Sequence, residues 1–372
     1  MRIAYLGWGD HVHLERWAGW FVGAGHEVHI LSLSGKGRYP AGVLQYDLRP
    51  FAASWRMQLL ALRALLFRIS PDLVHVHWAG FGPMVVGRWQ GPIVITAWGS
   101  DIYRLDQSAG RQSDAIAASL RGASLVTVDS EDLARRVEGL ADKPAGTVEV
   151  VQWGVDTESF TPGVPFRPLA RDAGLRRPFT ILSPRSFTPL YNIDVVVRAF
   201  ARVCEARDDV DLLMKCYAFD VDYRAQVEAL IESLGLGDRV GIVEKIPYEQ
   251  MVDFYRSGPV IVSIPDSDGT PMSLLEGMAC GCVPIASDLP SLREWITDGV
   301  NGFLVEPRDE EAVANALLTV LADEDRRRSM RESNLTLVRE RASHRGNMEL
   351  AERLCQGIVE TERAPFSGRR PS

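Results

Sequence analysis

Short, wholly apolar runs alternate with amphipathic stretches along nearly the whole chain, and this alternation most limits the folds open to it. A strand with both faces covered reads as a continuous apolar run. Regular alternation of such runs with helices predicts a parallel sheet flanked by helices. The first set of runs is "RIAYLG", "EVHILSL", "DLVHVHW", "PIVITAW", "SLVTVDS" and "VEVVQW", with helical stretches near residues 12–24, 54–69, 112–121 and 130–140. "TPGVPFRP" at 161–168 is rich in proline and lacks periodicity, so it reads as a linker. A second set follows: "FTILSPR", "VDLLMKCY", "RVGIVEKI", "VIVSIPD", "VPIASD" and "GFLV". From Asp309 to about Thr361 the chain is helical, and it ends in a polar tail, "APFSGRRPS", expected to be disordered. The expectation is an α/β protein of two tandem doubly wound Rossmann-like domains, 1–162 and 168–343. The terminal helix, 344–362, is expected to pack back on the first.

The 372 residues suffice for two domains of ordinary size, and 46% apolar with 24% charged residues is a globular composition. A formal charge of -8 leaves no strongly basic domain, which argues against nucleic acid as a partner. The five cysteines, Cys204, Cys216, Cys280, Cys282 and Cys355, form no CxxC pair. Their odd number fits reduced thiols in the cytoplasm, and Cys280-Gly-Cys282 reads as helix-end packing. "MRIAYLGWGDH" turns polar too soon for a signal peptide, and no apolar run nears the roughly 20 residues that span a bilayer.

Ligands of doubly wound sheets bind outside the carboxyl ends of the strands, here expected around an interdomain cleft. The chemically interesting residues do follow strands: Gly7-Trp-Gly9-Asp10, Trp98-Gly-Ser-Asp101, Arg185 and Asp268. "GWGDHV" is not GxGxxG, and no acid closes the second strand, so a dinucleotide site is disfavoured. The glycine turn could let backbone approach a phosphate, though a tight turn without a ligand explains it as well. His75 and His77 share a strand face with no third ligand for a metal. His77 is placed near the cleft and His75 in a structural role.

The stretch "DGTPMSLLEGMACGCVPIASD" carries two acids, Asp268 and Glu276, around a helix start, with Thr270 expected at the cap and Pro271 at the first helical position. A helix start suits a phosphate, which nearby carboxylates would repel. Either the acids accept hydrogen bonds from sugar hydroxyls, or they merely favour the positive end of the helix.

With these segments assembled, the chain resembles the family-4 glycosyltransferases, retaining enzymes of the GT-B fold that use nucleotide-sugar donors. The resemblance runs nearly end to end, through "GHEVHILS", "VVQWGVDTESFTP", "LLEGMACGCVPIASD" and "DGVNGFLVEPRD". It implies that Glu276 accepts from ribose hydroxyls and Asp268 from the transferred sugar. The helix-start residues Gly269, Thr270, Pro271, Met272, Ser273 and Leu274 would face the diphosphate. Arg185 is implied as a diphosphate ligand, and the Lys245-Ile246 main chain as a contact of the base. Gly7 and Gly9 fall on the donor side, and Asp10, His77 and Asp101 on the acceptor or sugar side. Arg185, Asp268 and Trp98 stand at the reacting centre.

Three positions depart from the family pattern. Asp268 replaces the usual Glu. Tyr191 stands where a lysine is usual, either donating to phosphate or packing on the helix that follows. Trp98 replaces a histidine and can be neither acid nor base. The implied mechanism is front-face displacement with retention, in which a leaving phosphate oxygen takes the acceptor proton. No metal or other cofactor is expected. The alternatives are a GT-B nucleotide-sugar epimerase and a nucleotide-sugar-binding protein without turnover. The acceptor is not identified. The helix "SWRMQLLALRALLFRIS" is either a basic amphipathic contact with the inner membrane face or a helix covering the sheet, its arginines at the rim.

Overall fold

The computed structural model describes residues 1–103, 105, 110–164 and 166–363. The polar tail 364–372 and Pro165 of the expected linker lie outside the described residues. Two compact units emerge, one formed by Met1–Trp153 with the residues from Arg345 onward, the other by Gly154–His344.

The first unit holds seven strands: β1 (Arg2–Gly7), β2 (Glu27–Ser32), β3 (Leu44–Asp47), β4 (Leu73–His77), β5 (Ile93–Thr96), β6 (Leu125–Val128) and β7 (Glu149–Val150). Every pairing is parallel, in the order β3-β2-β1-β4-β5-β6-β7. Winding reverses between β1 and β4, where Ile3 pairs with Leu73 and Leu6 with Val76. The central runs are enclosed because helices cover both faces: Leu14, Trp17, Ala18 and Phe21 from Val12–Gly23, and Leu62, Leu66 and Ile69 from Trp55–Ile69. Edge strand β3 was not expected. Its "LQYD" is half-exposed and lacks an apolar run.

The second unit has six parallel strands: β8 (Phe179–Ser183), β9 (Val210–Lys215), β10 (Val240–Val243), β11 (Val260–Ser263), β12 (Val283–Ser287) and β13 (Phe303–Val305). They run β10-β9-β8-β11-β12-β13, so winding reverses between β8 and β11. The helix Ile193–Ala206 buries Ile193, Val196, Val197, Phe200 and Val203 at helical spacing. Each such side chain contributes about 1.5–3 kcal/mol of burial.

The units divide earlier than the proline-rich stretch at 161–168. Val155 donates to the Ala342 carbonyl at 2.6 Å and accepts from the His344 amide at 2.8 Å, and Phe160 packs on Tyr248 and Tyr255. Residues 154–162 therefore belong with the second sheet. The helix His344–Arg363 buries Met348, Ala351, Cys355 and Val359. Its Glu352 accepts from Trp20 Nε1 at 3.1 Å and meets His26 Nε2 at 2.9 Å, which ties it to the first unit. No helix among the described residues is long and apolar enough to cross a membrane.

Candidate active site

In the second unit, the carboxyl ends of β8 and β11 gather residues that lie far apart in sequence. Arg185 Nη2 donates to Asp268 Oδ2 at 2.7 Å and Nη1 to Ser273 Oγ at 3.2 Å. The guanidinium carbon lies 4.2 Å from the centre of the Tyr191 ring, a cation–π distance. Burial alone would lower the Arg185 pKa, but the Asp268 carboxylate and Tyr191 prevail and raise it, so the cation persists. Burial pushes the Asp268 carboxyl up from its ordinary value, against the pull of Arg185 and of the Gly269 amide. The planar fork that holds this carboxylate also matches a phosphate. Tyr191 thus supports Arg185 from below, besides packing against the core.

Glu276 is 5% exposed, and its two oxygens accept from Tyr248 Oη at 2.9 Å and Tyr255 Oη at 2.8 Å. A carboxylate has about four acceptor sites, so it can take further hydroxyl donors. The carrying helix, Met272–Ala279, starts one residue later than expected. Pro271, with ψ of 105°, is the cap, and Thr270 lies outside the helix, its hydroxyl accepting from Trp295 Nε1 at 3.4 Å. Of the amides expected to face a diphosphate, that of Leu274 donates instead to the Pro271 carbonyl at 3.0 Å. Those of Met272 and Ser273 lie in the first turn, ahead of regular intrahelical bonding. Lys245 is exposed and Ile246 half-buried, and it is Tyr248 that reaches Glu276 from this segment.

Sequence reasoning missed Tyr248, Tyr255 and Lys215. Lys215 ends β9, where burial lowers its pKa while the Glu276 charge opposes the shift. The signal for it is a lone lysine closing the apolar run "VDLLMK".

The carboxyl edge of the first sheet has a different character. Gly9 donates its amide to Ser32 Oγ at 3.2 Å, and a Cβ there would stand 2.5 Å from that oxygen. The glycine thus serves close packing of the turn. At Gly7, a Cβ would press on His77 at 3.2 Å. Asp10 is exposed and accepts from Ser34 Oγ. His77 is fully buried among Tyr5, Trp17 and His75, beneath the surface at which it was expected. His75 meets Thr96 Oγ1 at 2.7 Å.

Above His77 lies an aromatic cluster. Trp8 sits 4.5 Å from Trp78 and 5.6 Å from Trp98, measured between ring centres. His11 is 4.5 Å from Trp98, and His13 stacks on Trp153 at 4.3 Å. Trp8, Trp78, Trp98 and Trp153 each follow a strand of this sheet, a recurrence visible in "GWG", "VHW", "AWG" and "QWG". Asp101 fixes the layout beneath, accepting from the amides of Ala79 at 2.6 Å and Trp98 at 2.9 Å. Its carboxylate clamps two loops and is not turned to a sugar.

Burial raises the Asp101 pKa from 3.8 to about 6, although amide bonds oppose the shift. A folded-state value above the unfolded one stabilises fully below pH 3.8, and that stability is lost as pH rises through 6. The loss is about 3 kcal/mol at 1.36 kcal/mol per unit. Asp101→Asn removes this titration, so its melting temperature is expected to gain on wild type as pH rises from 3.8 to about 6 and to hold that gain above it. Parallel melting profiles would refute this assignment. Among the described residues, no group of three or more His, Cys, Asp or Glu is placed to hold a metal ion.

Comparison with known proteins bears on both units. The family model described as "Glycosyl transferase 4-like" matches residues 2–130, and "Glycosyl transferases group 1" matches residues 170–335. A D-inositol 3-phosphate glycosyltransferase of Xylanimonas cellulosilytica is 29% identical over 280 residues, covering 69% of this chain and 65% of that protein. Its counterpart in Mycolicibacterium smegmatis is 26% identical over 272 residues, covering 67% and 59%. The chain thus matches less than two thirds of the length of these relatives. Among solved structures, Anabaena HepE in complex with UDP superimposes with a TM-score of 0.81 at 17% identity, over 96% of this chain and 100% of that one. Sucrose-phosphate synthase from Thermosynechococcus elongatus gives 0.79 at 19% identity, over 97% and 100%. Such distant likenesses speak for the fold, and the two family models speak for descent. The chain belongs to the family-4 glycosyltransferases of GT-B architecture.

Proposed function

We propose that this protein transfers a sugar from a nucleotide-diphosphate sugar to an acceptor hydroxyl with retention of anomeric configuration. The observation that carries the reading is Arg185, held by Asp268 and Ser273 at the start of the helix that bears Glu276. The bond from the anomeric carbon to the diphosphate breaks, its electron pair staying on the phosphate oxygen. The acceptor oxygen bonds the same face, and its proton passes to that phosphate oxygen. Arg185 and the first helical turn offset the growing charge on the leaving group. They carry this task without a metal ion. Glu276 accepts from the ribose hydroxyls, and Asp268, exchanged off Arg185 by the diphosphate, from the transferred sugar.

UDP is the first nucleotide to try, since HepE was crystallised with UDP and with UDP-glucose. The test is thermal stabilisation by UDP, GDP and ADP, without added metal, in wild type and Glu276→Ala. Stabilisation by one nucleotide that is lost in the variant supports the reading. No stabilisation by any nucleotide would overturn it. The free thiols of Cys204, Cys216, Cys280, Cys282 and Cys355 support a reducing, cytoplasmic compartment.

For partners, we propose contact with an anionic membrane surface through the helix Trp55–Ile69. Its inner face is buried, but Trp55, Met57, Leu60 and Phe67 remain exposed, Phe67 at 84%. Arg56, Arg63 and Arg68 accompany them, and the helix has no acid. A cavity of about 530 Å³ beside Leu66, Phe67, Met84 and Trp89 adds apolar surface. Cations attract an anionic leaflet while the aromatic side chains enter its boundary. Wild type is expected to sediment with phosphatidylglycerol vesicles and Phe67→Ser at least fivefold less. Equal binding to neutral phosphatidylcholine vesicles would sink the idea.

A further inference from the structure

The aromatic cluster of the first unit has no part in donor binding as proposed above, and its chemistry is specific. Trp8 and Trp78 follow β1 and β4, the two strands between which winding reverses, and Trp98 follows β5. Open αβ sheets take their ligands at this place. Trp8, Trp78, Phe81 and Trp98 are half-buried, so their rings are packed yet still accessible. The rings do not lie parallel: Trp78 meets Trp98 at 87° and Phe81 meets Trp8 at 88°. An edge-to-face corner of this kind presents apolar faces in more than one direction.

Polar groups in the same patch lack partners. Trp98 Nε1 is buried without a hydrogen-bond acceptor among the described residues, and so is His13 Nδ1. A ligand that supplies hydroxyls would satisfy such atoms. The rings of the patch carry no fixed charge, although the Arg16 cation stands near His13. Burial lowers the pKa of His11, and lowers that of His13 well below the ordinary value, aided there by the nearby charges of His11 and Arg16. Its one buried carboxylate, Asp101, is taken up by backbone amides. Apolar ring faces beside unpaired N–H groups suit a molecule with a C–H face and a rim of hydroxyls. They do not suit a phosphate, which needs fixed positive charge.

We infer that Trp8, Trp78 and Trp98 form the acceptor platform of this enzyme, and that the acceptor group seated on it is a neutral pyranose ring. This rests on the glycosyltransferase reading above, and it adds that the acceptor is itself a glycoside rather than a sugar or polyol phosphate. Trp8 and Trp78 stack on the ring, while Trp98 Nε1 donates to one of its hydroxyls.

The test uses the full chain and saturation-transfer difference NMR. The probes are the methyl glycosides of glucose, galactose, mannose and N-acetylglucosamine, with inositol 3-phosphate alongside them. At least one glycoside is expected to receive saturation at its ring C–H protons. That signal is expected to fall at least fivefold in Trp8→Leu and in Trp78→Leu, which keep apolar volume but lose the ring, and to persist in Trp78→Phe. UDP stabilisation, measured on the same samples, is expected to match wild type, and it also reports that each variant is folded. Glycoside signals unchanged in both leucine variants would overturn the platform, as would binding of inositol 3-phosphate with no glycoside bound. Were UDP to fail to stabilise even wild type, the donor reading would fall, while the tryptophan dependence of the glycoside signal would still decide the platform.

Discussion

Arg185→Ala is expected to lower the rate of sugar transfer by about two to three orders of magnitude, the usual loss when one fixed donor to a developing charge is removed. No lysine stands at Tyr191 to share the load, so one cation carries an effect that two would otherwise divide. Its removal has a second consequence. Asp268 is left mostly buried without its ion-pair partner, and breaking such a pair costs about 3–5 kcal/mol of stability. Loss of rate and loss of fold must therefore be separated. Arg185→Ala/Asp268→Asn removes the stranded charge and is expected to regain most of the melting temperature without regaining the rate. Arg185→Lys keeps the charge without the two-pronged geometry and should fall between. Steady-state kinetics with the nucleotide sugar identified by thermal shift decide the matter. A single variant with wild-type kcat would remove Arg185 from the reacting centre.

Glu276→Ala is expected to weaken nucleotide binding at least tenfold, about 1.4 kcal/mol. The geometry makes this more than the loss of one contact. Glu276 accepts from Tyr248 and Tyr255 at once, so its carboxylate is fixed before any ribose arrives. Burial and the adjacent Glu276 charge hold the Tyr255 hydroxyl well above its ordinary pKa, so it remains a donor throughout the working pH range. Alanine leaves that buried hydroxyl unpaired, at a cost of about 1–3 kcal/mol in stability. Glu276→Gln is not a neutral control, because its amide N–H₂ makes one of the two tyrosine hydroxyls accept where it now donates. Titration of the preferred nucleotide by calorimetry, on variants shown to be folded, measures the effect. Unchanged affinity would place the ribose elsewhere.

Much of the architecture was legible because buried parallel strands announce themselves as apolar runs, and every run quoted from the sequence contains a strand. What escaped notice lacked that signature. Strand β3 is a half-exposed edge, and its tyrosine and aspartate resemble a loop. Proline fixes φ near −65° both at a cap and at a first helical position, so only the observed ψ separates Thr270 from Pro271 as the cap. For the donor side, the sequence brought forward Arg185, Asp268, Ser273 and Glu276, which carry a local pattern. Tyr248 and Tyr255 come from two short helices and Lys215 from the end of β9, and only tertiary packing brings them near Glu276. Asp101 was read as a sugar contact because it follows a strand, but carboxylates are also used to tie loops together. The tryptophans after β1, β4, β5 and β7 form a repeat spread over more than a hundred residues, which inspection one motif at a time does not reveal.

The first unit is built from two separated lengths of chain, and this sets an order on its assembly during synthesis. At about 5–20 residues per second, a ribosome needs roughly 10–40 s to travel from Trp153 to Arg345. Throughout that interval the first sheet waits without the helix that covers Trp20 and His26, while the second unit, continuous in sequence, can close as it emerges. Residues made before the second unit are thus among the last to be enclosed, and the newborn chain presents an unfinished apolar surface for as long as the helix His344–Arg363 is still being translated.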